Sequence, residues 1–367
     1  MTLLSFLFVV TSGLVVIATL APFSRRKEWW VRGWEFPRLQ IAVAALVLSA
    51  LLAWREQLAG PLSVPLQVVL AGCFLWQLAW ILPYTRLTRR EVRQSRIVRR
   101  RASSATTRAG VATAGLHAGD ASGAVAPADV APADAEGRLR LMSVNVLMRN
   151  RAADRLLGLV ERVDPDVLIT LESDAWWERR LDTLDARYPH ACKCPLDNRY
   201  GMHVYSRLAF ETAETRFLIE PGVPSMRLTI RLVGGERVRL NVVHPTPPSP
   251  TERETSRQRD AELVMVGLEV VGLDMPVVVA GDLNDVAWSR TTRRFRKISG
   301  LLDPRRGRGM FNTFHADWPG LRWPLDHVFH SSHFALAEIR RLPPIGSDHF
   351  PILVDLRLED AGAGAGS

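Results

Sequence analysis

Three apolar runs crowd the first 84 residues, whereas residues 138–359 alternate short β-branched stretches with amphipathic ones. The runs are residues 1–23, 39–54 and 64–84. An apolar run of about 20 residues spans the ~30 Å hydrocarbon core of a bilayer as a helix, so the pattern predicts a three-helix transmembrane anchor over residues 1–85. Trp29, Trp30, Trp34, Trp54, Trp76 and Trp80 fall at or near the ends of these runs, where amphipathic rings favour the headgroup zone. The first run has no basic residues ahead of it and no small-x-small cleavage site before Ser24-Arg25-Arg26-Lys27, which favours an anchor over a cleaved signal.

Arginine orients this anchor. The first loop carries Arg25, Arg26, Lys27, Arg32 and Arg38, and the segment after the third run carries Arg86, Arg89, Arg90, Arg93, Arg96, Arg99, Arg100 and Arg101. Three spans put both segments on one side, and the positive-inside rule makes that side the cytoplasm, with the N-terminus outside. The net charge of +9 belongs to the same region: residues 1–101 hold 14 Lys and Arg against 4 Glu, a net +10, which leaves −1 for the rest. A near-neutral C-terminal part disfavours nucleic acid as the partner, because non-specific binding needs a basic face on the binding domain itself. The juxtamembrane arginines suit anionic lipid headgroups instead. Residues 86–137 join that basic segment to an Ala/Gly/Ser/Pro-rich stretch with almost nothing large to bury, which reads as a disordered linker, as does the tail over 360–367. Cys73 lies in the third run, and Cys192 and Cys194 fall in an expected loop; three cysteines give no disulfide framework, and one Cys-x-Cys alone is no zinc site.

Residues 138–359 read as a single α/β domain. Residues 139–146, 166–172, 200–207, 225–232, 237–243, 276–280, 325–329 and 351–358 have the length and composition of strands, and residues 152–163 and 251–271 the spacing of helices. Polar side chains gather where strands end: Asn145, Glu172, His244, Asp282, Asn284, Asp326, Asp348 and His349. The sharpest case is Gly281-Asp282-Leu283-Asn284 after the run Val277 to Ala280, where glycine permits a tight turn and two polar groups two residues apart reach one side if the extended path continues. A carboxylate and an amide on a rigid strand end can orient a water or grip a phosphate oxygen. Each of the eight residues alone reads equally well as a turn former or a solvated loop residue; all eight at strand mouths point to one shared edge. Trp176 and Trp177 suit packing over a strand end more than a substrate groove. Arg293, Arg294, Arg296, Arg305, Arg306 and Arg308 read as a solvated basic run.

Across residues 139–358 this constellation resembles the endonuclease/exonuclease/phosphatase superfamily. The resemblance rests on Ser143-Val144-Asn145-Val146, Leu171-Glu172, Tyr205-Ser206-Arg207, Val243-His244, Gly281-Asp282-Leu283-Asn284, Leu325-Asp326-His327 and Gly346-Ser347-Asp348-His349. With its three apolar runs, the chain is similar to a bacterial membrane-anchored branch, which implies a multi-pass protein of the bacterial plasma membrane. The resemblance implies a DNase I-like four-layer α/β sandwich and phosphoester hydrolysis with Mg²⁺ or Mn²⁺. It implies Glu172, Asn145 and Asp348 at the metal, and His349, held by Asp326, on the phosphate or as acid/base. Asp282 would orient or deprotonate water, Asn284 and His244 would hold non-bridging oxygens, and Tyr205 would contact substrate. Two positions depart from the pattern. Leu171 stands where the family often has glutamine, and Leu147 stands where abasic-site endonucleases commonly carry a second carboxylate, which argues against abasic-site repair.

The expected function is therefore a membrane-anchored, metal-dependent phosphoesterase for mono- or diesters, with lipid-linked esters favoured because a tether raises effective concentration near lipid. A nuclease acting on DNA or RNA is the enzymatic alternative, and a non-catalytic binding module the second. The intact Glu172, Asp282, Asn284, Asp348 and His349 weigh against the module.

Overall fold

The computed structural model describes residues 3–54, 62–95 and 136–359. The N-terminal part forms α1 (Leu3–Leu20), a short α2 (Trp29–Arg32), α3 (Arg38–Trp54) and α4 (Ser63–Ile81). Ser5–Phe23 and Ser63–Tyr84 are each long and apolar enough to cross a membrane, and the pair Trp29–Glu35 and Arg38–Trp54, bent by 69°, qualifies when taken together. The helices pack through Ala18, Ala45, Leu48, Leu52, Leu70 and Cys73. Leu14, Ile17, Val43, Val64, Val68 and Leu75 point outward, an apolar surface suited to lipid. A polar clamp ties the three helices at one end: Arg38 Nη1 donates to Gln77 Oε1 at 2.8 Å, and Gln77 Nε2 to Thr19 Oγ1 at 3.1 Å.

The second part runs β1 (Arg138–Asn145), α5 (Ala153–Val163), β2 (Val167–Leu171), α6 (Ala175–Leu181), β3 (His190–Cys194), β4 (Met202–Ser206), β5 (Phe210–Arg216), β6 (Ser225–Arg231), β7 (Arg237–Val243), α7 (Arg257–Val270), β8 (Val277–Asp282), α8 (Arg290–Ser299), β9 (Asp326–His330), β10 (Phe334–Arg341) and β11 (Ile352–Leu358). A six-stranded sheet has the order β10-β11-β1-β2-β4-β3, and a five-stranded sheet the order β5-β6-β7-β8-β9. Their inner faces meet through residues such as Leu141, Ile169, Val204, Leu228, Val278 and Val328. Helices α5 and α6 cover the outer face of the first sheet with Leu156, Val160, Trp177 and Leu181, and α7 and α8 that of the second with Leu263, Val266 and Phe295. The result is the four-layer α/β sandwich. β1 and β2 pair in parallel, as do β7 and β8, so the ends of all four strands open on one edge.

Local chemistry explains the boundaries. Leu156, Leu159, Val160 and Val163 give α5 its buried face, and Asp164 ends it in a left-handed conformation before Pro165. Asp174 caps α6 by accepting from Trp177 N at 2.9 Å, and Ser289 caps α8 by accepting from Thr292 N at 2.9 Å. The expected loop at Cys192 and Cys194 is instead β3, a half-buried edge strand paired antiparallel with β4. The helix expected over 251–271 begins only at Arg257, because the residues before it pair with the N-terminal part: Trp29 N donates to Glu254 O at 2.9 Å, and Ser256 N to Lys27 O at 2.8 Å. Apart from residues 86–95 and 136–137, the expected linker lies outside the described residues, as does the tail over 360–367. Residues 86–95 run along the domain. Glu91 binds Arg296, Arg93 pairs with Glu359 at 2.8 Å, and Ser95 N donates to Leu336 O at 2.9 Å.

Glu262 on α7 gives a pH-dependent prediction. It is 3% exposed, and burial, with Glu220 adding, pushes its carboxyl up to about 8; Arg216 only partly offsets this, because it forms two 2.8 Å bonds with Glu269. The folded state therefore holds a proton that the unfolded chain releases near its ordinary value, so stability falls as pH rises from there to about 8 and then levels. Glu262→Gln is expected to leave Tm unchanged at pH 4 and to raise it by roughly 5 °C at pH 8.5, as read by thermal unfolding.

Candidate active site

Strand β8 delivers the central carboxylate. Gly281 has φ 139°, and a Cβ there would lie 2.0 Å from Val243 O, so only glycine lets β8 pass β7 and aim Asp282 at the shared edge. Gly281→Ala is expected to lower activity at least about a hundredfold and Tm by several degrees, since strain in this backbone region costs ~1–3 kcal/mol. Steady-state kinetics and thermal unfolding check it. After Asp282 the extended path does not continue. Asp282 Oδ1 accepts from Asn284 N at 2.8 Å, Asn284 turns to φ 49°, and its Nδ2 donates to Pro245 O at 3.0 Å. The Asx turn and the site arrangement are thus one structure. Buried Arg259 on α7 braces it, donating to Asn284 O at 2.7 Å.

Asp282 is the hub. Its Oδ2 lies 3.3 Å from Asn145 Nδ2, 3.5 Å from His349 Nε2 and 3.9 Å from His244 Nε2. Asn145, at the end of β1, also donates to Glu172 Oε1 at 2.9 Å, while its Oδ1 accepts from Leu147 N at 3.0 Å. It bridges two carboxylates. Glu172, just beyond β2, takes φ 59° and accepts from Met148 N at 3.3 Å. His349 Nδ1 sits 2.8 Å from Asp326 Oδ2 at the start of β9. Its own backbone N donates to Ser347 Oγ at 3.0 Å, and that hydroxyl donates to Asn145 O at 2.7 Å. One serine therefore joins the distal motif to β1.

Burial disfavours a charged His349, yet the Asp326 and Asp282 carboxylates and the Asp326 hydrogen bond outweigh it and hold the imidazolium up to about 10. His244 is the opposite case: burial pushes it down despite Asp282, so it is neutral. Burial also pushes the Asp282 carboxyl up, with the His349 charge working against that. The two histidines, equally deep, hold different protonation states because only one has a carboxylate on its far nitrogen.

A cavity of 300 Å³ opens over this cluster, with Glu172, His244, Asn284 and Asp348 on its wall. Asn145, Asp282, Asp326 and His349 stand behind them, so the structure brings eight of the nine expected site residues together. Tyr205 is the correction. It points away on β4 into the outer core with Trp177 and Tyr188, its hydroxyl 3.4 Å from Asp182, because β4 alternates toward the α5/α6 layer at that position. The tyrosine at the cavity is Tyr200, its ring 5.3 Å from His244. Arg149, Arg199 and Glu252 also line the cavity, and nothing in their local sequence marks them. Phe314, whose ring lies 4.9 Å from that of His349, and Thr313, whose hydroxyl accepts from Asp326 N at 3.1 Å, were equally silent. The basic run is only partly solvated. Arg305 is buried, paired with Asp303 at 2.9 Å and donating to Asp326 O at 3.3 Å, and Arg308 donates to Val92 O at 2.7 Å.

The sequence profile described as the Endonuclease/Exonuclease/phosphatase family matches residues 142–349, more than half of the chain. The chain belongs to that family. Among solved structures of this family fold, an endonuclease/exonuclease/phosphatase from Beutenbergia cavernae DSM 12333 is similar at TM-score 0.51 and 22% identity, covering 61% of this chain and 72% of that one. D. rerio TDP2 complexed with single strand DNA product matches at TM-score 0.51 and 17% identity, covering 60% and 100%. The human Nocturnin catalytic domain with bound sulfate anion matches at 0.51 and 17%, covering 61% and 94%. At these identities the likeness shows the fold. No curated protein matches the chain.

Family enzymes typically use divalent metals, and two donor sets here could hold one. Asp282, Asp326 and His349 present atoms within 4.8 Å of one another, but that trio already contains its own cation, the imidazolium between two carboxylates. Glu172 and Asp348 differ. Burial pushes the Glu172 carboxyl up, with Asp348 adding and the Asn145 and Met148 hydrogen bonds and the His349 charge working against it, and among the described residues neither carboxylate makes an ion pair with Lys or Arg. Two carboxylates at a cavity wall that meet no Lys or Arg are an oxygen-donor set that fits a hard divalent cation.

Proposed function

We propose that the chain is a divalent-metal-dependent phosphoesterase working at the surface of the membrane that its N-terminal helices span, on phosphate mono- or diesters and lipid-linked esters foremost. The observation that carries this reading is how the anchor is seated. It grips the loops that build the cavity. Trp288, four residues after Asn284, donates from Nε1 to Glu35 O at 2.8 Å, and Tyr84 Oη donates to Ala287 O at 2.6 Å. Phe314, beside His349, packs near Trp323, which meets Phe36 at 5.9 Å. Ile81, Tyr84, Val286, Ala287, Trp288 and Leu325 share one buried cluster. A domain whose loop after Asn284 is held against the N-terminal helices would work close to the bilayer, which supports a lipid-borne phosphoester as its substrate.

Within the site, Glu172, with Asn145 and Asp348 alongside, would hold the cation. When bound, it would neutralise phosphate charge and lower the cost of attack by water. Asp282, hydrogen-bonded on one oxygen by Asn284 N, would orient the attacking water with the other and take its proton. His349 keeps Nε2–H toward Asp282 because Asp326 occupies Nδ1, so its charge would act on the phosphoryl oxygens. Neutral His244 and the free amide hydrogen of Asn284 would donate to the remaining oxygens, and Arg149 and Arg199 would meet charge at the rim. Both basic segments, 25–38 and 86–95, contact the domain, which with the positive-inside rule supports a cytoplasmic catalytic domain in a bacterial plasma membrane.

The test is turnover by the full chain in vesicles, with a lipid-borne phosphate ester compared with the same headgroup on a water-soluble stem. The reading expects a kcat/KM at least about tenfold higher for the bilayer-borne ester, from effective concentration at the surface. Equal values, or faster cleavage of single-stranded DNA than of either ester, would overturn it.

A further inference from the structure

A second charged cavity lies outside the catalytic machinery, where α8 meets the domain-side end of α4. Arg290, Arg293, Arg294 and Lys297 recur at helical spacing, so they share one face of α8. They line a 690 Å³ cavity with Trp80. Arg293 lies over the Trp80 ring at 4.3 Å from its centroid, and Arg38 over the same ring at 4.4 Å. Trp80 continues into an aromatic row, 6.1 Å from Trp76, which stacks on Phe23 at 4.7 Å. Arg290 closes the row 5.8 Å from Phe23.

The charges here are unequally satisfied. Arg296 and Arg306 are bound by Glu91, at 2.5 Å and 3.4 Å. Arg293, Arg294 and Lys297 are exposed and meet no carboxylate at ion-pair distance among the described residues. Below them the apolar surface of α4 continues toward the bilayer through Trp76 and Leu75, 36% and 61% exposed. Cations stand above, an aromatic belt lies at the boundary, and apolar helix runs beneath.

We infer that this cavity binds the headgroup of an anionic phospholipid, its phosphate held by Arg293, Arg294 and Lys297 and its acyl chains lying along α4. The inference rests on the membrane-seated reading above. Free phosphate would satisfy the cations alone; a phospholipid satisfies cations and exposed apolar face together, which decides between them. Because α8 begins six residues after Asn284, a lipid bound here also braces the catalytic wall against the anchor.

Native mass spectrometry of the purified full chain, titrated with phosphatidylglycerol or phosphatidylcholine, tests the site. Phosphatidylglycerol is expected to be retained at one high-affinity site and phosphatidylcholine not. Arg293→Gln/Arg294→Gln/Lys297→Gln is expected to weaken retention roughly a hundredfold, from the loss of three headgroup charges. Arg155→Gln/Arg162→Gln, on the exposed face of α5, is expected to leave it unchanged. If the triple variant melts early, Arg294→Gln alone serves, with a loss of about fivefold. Equal retention of both lipids, unchanged retention in the variants, or complete displacement by equimolar inorganic phosphate would overturn the inference. His349→Ala separates the two readings: it is expected to retain phosphatidylglycerol whether or not the wild type turns over a phosphoester, so failure of the catalytic reading leaves this readout intact.

Discussion

Replacing His349 with alanine is expected to lower kcat roughly a thousand- to ten-thousandfold, with KM moving by only a few-fold. The size follows from what the side chain concentrates. It brings a full positive charge into a buried cluster, with Nε2 3.5 Å from Asp282 Oδ2 and Nδ1 held at 2.8 Å by Asp326. Alanine removes that charge and leaves Asp282 and Asp326 facing each other without it, so the hub carboxylate takes up a proton more readily and loses its capacity as a base. Asp326→Asn tests the same logic from behind: the ring stays but the charge on it falls, and an intermediate loss of about a hundredfold is expected. Single-turnover kinetics and thermal unfolding separate the chemical step from any loss of fold. Activity within tenfold of wild type in His349→Ala would remove the imidazolium from the mechanism.

Glu172→Gln is expected to abolish metal-dependent turnover and, with it, metal-dependent stabilisation. In the wild type, a cation at about 100 times its Kd adds about 2.7 kcal/mol to stability. The variant should gain almost none of this, because an amide cannot replace the carboxylate as the charged ligand. Its metal-free form should be more stable than metal-free wild type, since burial, with Asp348 adding, penalises the Glu172 charge more than the hydrogen bonds from Asn145 and Met148 and the His349 charge offset it. Opposite signs with and without metal are the signature. Thermal unfolding across a Mg²⁺ or Mn²⁺ titration reads both, and a variant stabilised by metal as fully as wild type would remove Glu172 from the ligand set.

The parts of this molecule legible in its sequence are those where one local pattern served one purpose. β8 is apolar on both faces and ends in a glycine that the adjacent β7 requires, so Asp282 and Asn284 announced themselves. The periodic face of α5 and the three apolar N-terminal runs are equally plain. What escaped was set by distant partners. β3 and β5 lie at sheet edges, β3 half-buried and β5 mostly exposed, so alternation is weak and the pattern over β3 reads as a loop. Residues 254–256 continue a helical pattern but pair with residues 27–29, 225 or more positions away in sequence. Tyr205 carried a motif-like neighbourhood yet faces the outer core, while Tyr200, outside any motif, reaches His244. Thr313 and Arg259 support Asp326 and Asn284 through single hydrogen bonds from unremarkable positions. Strand ends can be read from a pattern; the groups that brace them are chosen by the packed structure.

The central claim, a metal-dependent phosphoester hydrolase seated on its membrane, is tested most directly by phosphate release from a lipid-borne ester by the full chain in vesicles, stripped of metal and then given Mg²⁺ or Mn²⁺. Turnover that is absent without metal, returns with it, and is missing in both His349→Ala and Glu172→Gln is the predicted result. Turnover that persists without metal, or none from folded wild-type protein with either metal, would contradict it.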